Sequence, residues 1–307
     1  HELNPLIKNN QWLFYTTFFR VAKLTIEHFY AKKGLKGGMI AVLHTWGQNL
    51  SFHPHIHCLV PAGGVDKFGN WQPFKYQNFF AKIKEVNKFF KNQFLKQYIE
   101  IIENQPLRLT GKAAIYQDFK QFTVLYEQIS AKTWSVNIKP PIPQTGKTFE
   151  YIARYANRVA ISESRIENVA EKEVFFHIKK YKEAKDNEPV PTDIISLSPM
   201  VFLLQLCQHF LPQYFQKIRY YGLFSSACTT IRKGIQQQVN QNKNCQNIRT
   251  VFQIISQVLG LNIYQCCACQ SDDIVTLALD PIRKVFSKTI PVAARGSPSA
   301  SPKCGII

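Results

Sequence analysis

The sequence predicts an α+β fold, with helices and antiparallel strands in one chain. Apolar residues recur at helical spacing over 10–33 and again over 76–104. Two short apolar runs, Met39 to Thr45 and His55 to Pro61, are bounded by turn residues in the way strands are. The loop between those runs is short, so the two pair most simply antiparallel.

Taken in order, the first helix places Trp12, Phe14, Phe18, Phe19, Val21 and Leu24 at helical spacing and ends at Gly34, Gly37 and Gly38. The strand Met39 to Thr45 is apolar throughout, as a buried strand is, and the loop from Gly47 to Pro54 follows it. The strand from His55 alternates and stops at Ala62-Gly63-Gly64. The second long helix, 76–104, is basic and amphipathic, with Phe79, Phe80, Ile83, Val86, Phe89, Phe90, Phe94 and Leu95 inward and lysines outward. Trp134 to Lys139 reads as a further strand closed by Pro140 and Pro141. A helix from about Thr148 to Arg158 comes next, then a hairpin through Ile161 and Val174 to Ile178. The charged, proline-containing stretch from Lys179 to Pro191 is the expected boundary. Beyond it, Pro199 to Leu211 and Ile248 to Leu259 read as helices, with the polar run Gln236 to Gln246 between them. The tail from Pro291 is rich in Ser, Pro, Ala and Gly and is expected to be disordered.

Composition narrows the function classes. Apolar residues make up 45% of the 307, enough for a substantial core. No uninterrupted apolar run is long enough for a membrane span, and the opening residues lack the pattern of a signal peptide. A cytoplasmic protein is therefore expected, and the eight cysteines, irregularly spaced, read as free thiols in a reducing compartment. Thirty-eight Lys and Arg against twenty Asp and Glu leave a net charge of +18, which points to a polyanionic partner. With no initiator methionine, the chain is expected to be a fragment or processed form.

Two groups of residues carry the chemistry. In His53-Pro54-His55-Ile56-His57, the i and i+2 residues of a strand share a face, so His55 and His57 present two imidazoles side by side. Such a pair suits a divalent transition metal, extending to Mg or Mn when oxygen ligands complete the shell. His44 on the neighbouring strand, or Gln48 in the loop, is the candidate third ligand. In Tyr151-Ile152-Ala153-Arg154-Tyr155 the hydroxyls lie one helical turn apart, with Arg154 and Arg158 as phosphate clamps. A tyrosine hydroxyl can attack a phosphodiester and hold the DNA end covalently.

The segment His44-Thr45-Trp46-Gly47-Gln48-Asn49-Leu50 running into HPHIHCLVPAGG, together with YIARYANRVAISESRI at 151–166, resembles the two-tyrosine HUH rolling-circle transposases of the insertion sequence ninety-one type. HELNPL at the start, WSVNIKPP at 134–141 and KIRYYGLF at 217–224 are similar to that family as well. The resemblance covers residues 1–224 and implies an HUH-nuclease-like central antiparallel sheet flanked by helices, followed by a mainly helical region. The chain is expected to divide into a nuclease domain over 1–180, a helical region over 190–262, and a Cys-containing segment with a disordered tail over 263–307. His55 and His57 become ligands for Mg or Mn. Tyr151 and Tyr155 become nucleophiles that leave a 5′-phosphotyrosine, and Arg154, Arg158 and Arg165 contact DNA. The partner would be single-stranded DNA at transposon ends and target. Relatives carry an amino-terminal zinc-binding segment ahead of the HELNPL-like run, where this chain begins, so a truncated and inactive copy is one expectation. Cys266 and Cys269 keep a CxxC spacing, half of a zinc site.

Other readings have their own marks. HPHIHCLV fits the histidine-triad pattern of nucleotide hydrolases, which need no metal and are much shorter. A rolling-circle replication initiator or relaxase would share the chemistry. A non-catalytic DNA-binding protein would tolerate loss of both tyrosine hydroxyls. Gly146-Lys147-Thr148 mimics a phosphate loop, but Pro141 stands where its first glycine is required.

Overall fold

The structure, a computed structural model, describes residues 2–74, 80–139, 158–180, 183, 190–241, 274–276 and 304–306. They fall into two units, His1–Asn244 and Cys245–Ile307.

In the first unit a short helix α1 (Asn4–Asn9) leads into α2 (Gln11–Ala31), as the periodicity over 10–33 predicts. Strands β1 (Gly38–Trp46) and β2 (Phe52–Leu59) follow and pair antiparallel, as predicted. Then come a small hairpin of β3 (Gly63–Val65) and β4 (Trp71–Pro73), helix α3 (Ile83–Asn104) and helix α4 (Phe119–Ala131). Strands β5 (Ile166–Val169), β6 (Val174–Lys179) and β7 (Thr192–Leu197) form an antiparallel sheet in that order. Helix α5 (Pro199–Cys207), strand β8 (Ile218–Gly222) and helix α6 (Thr229–Gln241) complete the unit. In the second unit the described residues are β9 (Ile274–Thr276) and β10 (Cys304–Ile306), paired parallel. The fold class is α+β.

β1 is the middle strand of the sheet β2-β1-β8, and eight of its nine residues are buried. Flanked on both edges, such a strand reads as a continuous apolar run. Its odd-numbered residues Met39, Ala41 and Leu43 join a core built with Phe14, Tyr15 and Phe19 of α2, Phe94 and Tyr98 of α3, and Phe122 and Leu125 of α4. Its even-numbered residues Ile40, Val42 and His44 lie on the other face. A smaller cluster of Leu50, Ala160, Val174, Phe176 and Phe202 ties the β1–β2 turn to the second sheet.

Several details differ from the sequence expectation. Trp134 to Lys139 is irregular rather than a strand. Its backbone is held by helix side chains: the Val136 N–H donates to Asn87 Oδ1 at 2.7 Å, and the Trp134 ring packs on Phe94 with centroids 4.9 Å apart. α3 begins at Ile83. The hairpin after Ile161 starts at Ile166 and gains β7 as a third strand. The region from 190, expected to be mainly helical, contains β7 and β8, and β8 lies in the same sheet as the histidines. Within 236–241, the start of the polar run continues helix α6. The helices expected over 148–158 (apart from Arg158, which is irregular) and 248–259, and the tail from 291 apart from 304–306, lie outside the described residues.

Candidate metal centre

The β1–β2 pairing sets the site. His44 lies directly opposite His55, and Val42 opposite His57. Because cross-strand partners share a face and i, i+2 residues do too, all three imidazoles project from one face of the sheet. The register shifts between His44 and Trp46, where one residue of β1 opposes His53 and Pro54 of β2. Proline has no N–H to give to a ladder, so a bulge is where a strand tolerates it. The bulge sits immediately beside the histidines and decides which of their neighbours face them.

One donor atom from each of His44, His55 and His57 lies within 4.8 Å of the others. Three nitrogens bound to one ion at about 2.1 Å stand roughly 3.0–3.6 Å apart, so the rings need to close by no more than about 2 Å to share a metal. His44 is buried and stacks on Trp46, with ring centroids 4.6 Å apart and planes 18° apart. The Nδ1 of His55 is 2.7 Å from the carbonyl oxygen of His53. A carbonyl only accepts, so Nδ1 carries the proton and Nε2 keeps its lone pair for a ligand.

Electrostatics act in the same sense. Burial pushes the pKa of His55 down, opposed by the hydrogen bond to the His53 carbonyl, while repulsion from the His53 ring and Arg158 adds to the lowering. Burial lowers His57 to about 3, reinforced by repulsion from His55, His44, Arg158 and Lys139. Neutral imidazoles are the form a metal binds. The three donor nitrogens could hold a metal ion, His44 offering the third. Gln48 is a half-buried residue of the turn, and its backbone carbonyl accepts from Arg165 Nη2.

The other site residues read from the sequence are distributed unevenly. Arg158 acts on His55 and His57, and so does Lys139 on His57, a neighbour the sequence reading missed. Arg165, expected on DNA, has its guanidinium turned to the protein's own backbone. Nε donates to the His177 carbonyl at 2.8 Å, Nη1 to that of Ala160 at 3.4 Å, and Nη2 to that of Gln48. Tyr151, Arg154, Tyr155, Cys266 and Cys269 lie outside the described residues. His209, also missed, is buried against the turn between the two histidine strands, and no local motif marks it.

Comparison with known proteins bears on the whole chain. It is 28% identical over 279 residues to "Putative transposase y4qJ" of Sinorhizobium fredii, covering 88% of this chain and 69% of the relative. It is 23% identical over 282 residues to "Transposase for insertion sequence element IS801" of Pseudomonas savastanoi pv. phaseolicola, covering 90% of this chain and 65% of the relative. The chain thus spans about two thirds of the length of these curated relatives. No solved structure matches it. Residues 38–231, more than half of the chain and all three clustered histidines among them, match the family Y2_Tnp, described as "Putative transposase", and the chain belongs to that family.

Proposed function

We propose that this protein is a rolling-circle DNA transposase that cleaves and rejoins single-stranded DNA through a tyrosine, assisted by a divalent metal. The observation that carries the reading is the cluster of His44, His55 and His57 on one sheet face, within a chain of a transposase family. The two relatives, named as transposases, support the same class.

In this reading His44, His55 and His57 hold Mn or Mg. Imidazole nitrogens favour Mn over Mg, and water and DNA phosphate oxygens would fill the remaining positions. When bound, the ion would polarise the scissile phosphate as a Lewis acid. The hydroxyl oxygen of Tyr151 or Tyr155 attacks the phosphorus and loses its proton to solvent. The bond from phosphorus to the 3′ oxygen breaks, giving a free 3′-hydroxyl and a 5′-phosphotyrosine. Attack by a 3′-hydroxyl on that phosphotyrosine then restores the tyrosine and joins the strand. A second tyrosine would allow a second cleavage while the first end stays held.

Chain connectivity supports the pairing of tyrosines with histidines. Lys139 and Arg158, which both act on His57, bracket the segment carrying Tyr151 and Tyr155. Tyr155 is three residues before Arg158, so their Cα atoms can be no more than about 11 Å apart. Arg158 and Arg154 would neutralise the phosphate as it gathers charge. Zinc at Cys266 and Cys269, and action on DNA in the bacterial cytoplasm, remain part of the proposal. Among the described residues no helix is long and apolar enough to cross a membrane.

The test is cleavage of labelled single-stranded DNA from the element's ends with Mn present. Nicking that EDTA abolishes, and that His57→Ala reduces at least a hundredfold, is expected. Nicking that survives chelation would refute the metal-assisted mechanism.

A further inference from the structure

We propose that His209 is a positioning residue for the histidine cluster: it pins the bulge and the turn that set His44 against His55. The inference rests on the metal-binding reading above and adds a residue from a distant part of the chain to it.

The segment joining the two histidine strands is under constraint. Leu50 is fully buried and has φ of 59°, the left-handed region that a branched side chain rarely adopts. Such a conformation is strained and persists only where surroundings over-determine it. The Leu50 carbonyl is held from two sides. His209 Nε2 lies 3.0 Å from it, and Gln208 Nε2 donates to it at 2.9 Å. The other ring nitrogen of His209, Nδ1, is 3.2 Å from the hydroxyl oxygen of Thr45, the residue at the bulge.

These contacts fix the tautomer. A carbonyl cannot donate, so Nε2 carries the proton and Nδ1 accepts from the Thr45 hydroxyl. His209 is 7% exposed and Thr45 is fully buried, so water cannot replace either bond. Burial lowers the pKa of His209, in keeping with the neutral ring this geometry requires. One imidazole thus bridges the strand residue that follows His44 and the turn that leads into the His55 strand.

The ring also connects to the cluster through packing. It lies parallel to Phe52, 9° between planes, and stands edge-on to Trp46. Trp46 in turn stacks on His44. Moving His209 therefore displaces the bulge, the turn and the ring beneath His44 together. Removing both of its hydrogen bonds would leave the bulge free to take the regular register, which turns residues beyond it to the opposite face.

The experiment measures Mn affinity, by electron paramagnetic resonance of the free ion, alongside thermal unfolding of the same 307-residue protein. His209→Phe keeps the ring and loses both hydrogen bonds. His209→Gln keeps one donor and one acceptor, Thr45→Val removes only the hydroxyl, and Phe202→Leu perturbs the adjacent cluster without removing any of these hydrogen bonds. About tenfold weaker Mn binding is expected for His209→Phe and Thr45→Val, within the range seen when groups supporting metal ligands are removed. Partial recovery is expected in His209→Gln, with Phe202→Leu keeping wild-type affinity despite a lowered Tm. Affinity that is unchanged in His209→Phe and Thr45→Val, or that follows Tm across all four variants, would overturn the positioning role. Failure of the wild-type protein to bind Mn would instead refute the metal site and the role together.

Discussion

At the residue scale, burial and neighbouring positive charge hold the His55 and His57 imidazoles toward their neutral form. The sign of the pH effect follows. An unfolded chain takes up a proton at His57 near the ordinary value of 6.5, whereas the folded protein resists until about 3. Between those values the unfolded state binds more protons, so stability of the metal-free protein is full above about pH 6.5 and falls as pH drops toward 3. Urea unfolding across this range should show that decline, and His57→Gln should flatten it. Leu50 gives a second expectation. Glycine would relieve its backbone, yet the buried side chain contributes more than the strain costs. Leu50→Gly should therefore lower stability by about 2–4 kcal/mol in the same measurement.

At the element scale, the His55–His57 pair was legible because strand periodicity is local and needs no knowledge of the rest of the fold. The choice between His44 and Gln48 was not, since it depends on a register that the Pro54 bulge shifts. β8 was hidden for a different reason: IRYYG has strand-forming residues, but its place beside β1 is a pairing between distant parts of the chain. Trp134 to Lys139 misled because β-branched and aromatic residues also occur in segments that helices hold extended. The tyrosine assignment came from resemblance, and helical spacing alone would not have selected it. β8 also makes a testable close approach. Gly222 has φ of 55°, and a Cβ there would come within 2.2 Å of the Gly37 carbonyl oxygen. Gly222→Ala should cost about 2–4 kcal/mol by denaturant unfolding and loosen β8 from the sheet, seen as faster amide exchange at Met39 and Ala41, whose N–H groups face β8.

At the scale of the whole molecule, the +18 charge, the α+β architecture and the histidine face combine into one expectation, a protein that holds a single strand across a metal centre. Binding should be strongly salt-dependent. With about four phosphates neutralised, affinity for a single strand should fall roughly fiftyfold between 50 and 200 mM salt. The most direct measurement is covalent capture: the protein incubated with 5′-blocked, 3′-labelled single-stranded DNA from the element's ends and Mn, then digested and mapped by mass spectrometry. A phosphonucleotide on Tyr151 or Tyr155, lost in the double Phe variant and in His55→Ala with His57→Ala, is the predicted result. Cleavage without any protein-bound DNA, or an adduct on another residue that persists in the histidine variants, would contradict it.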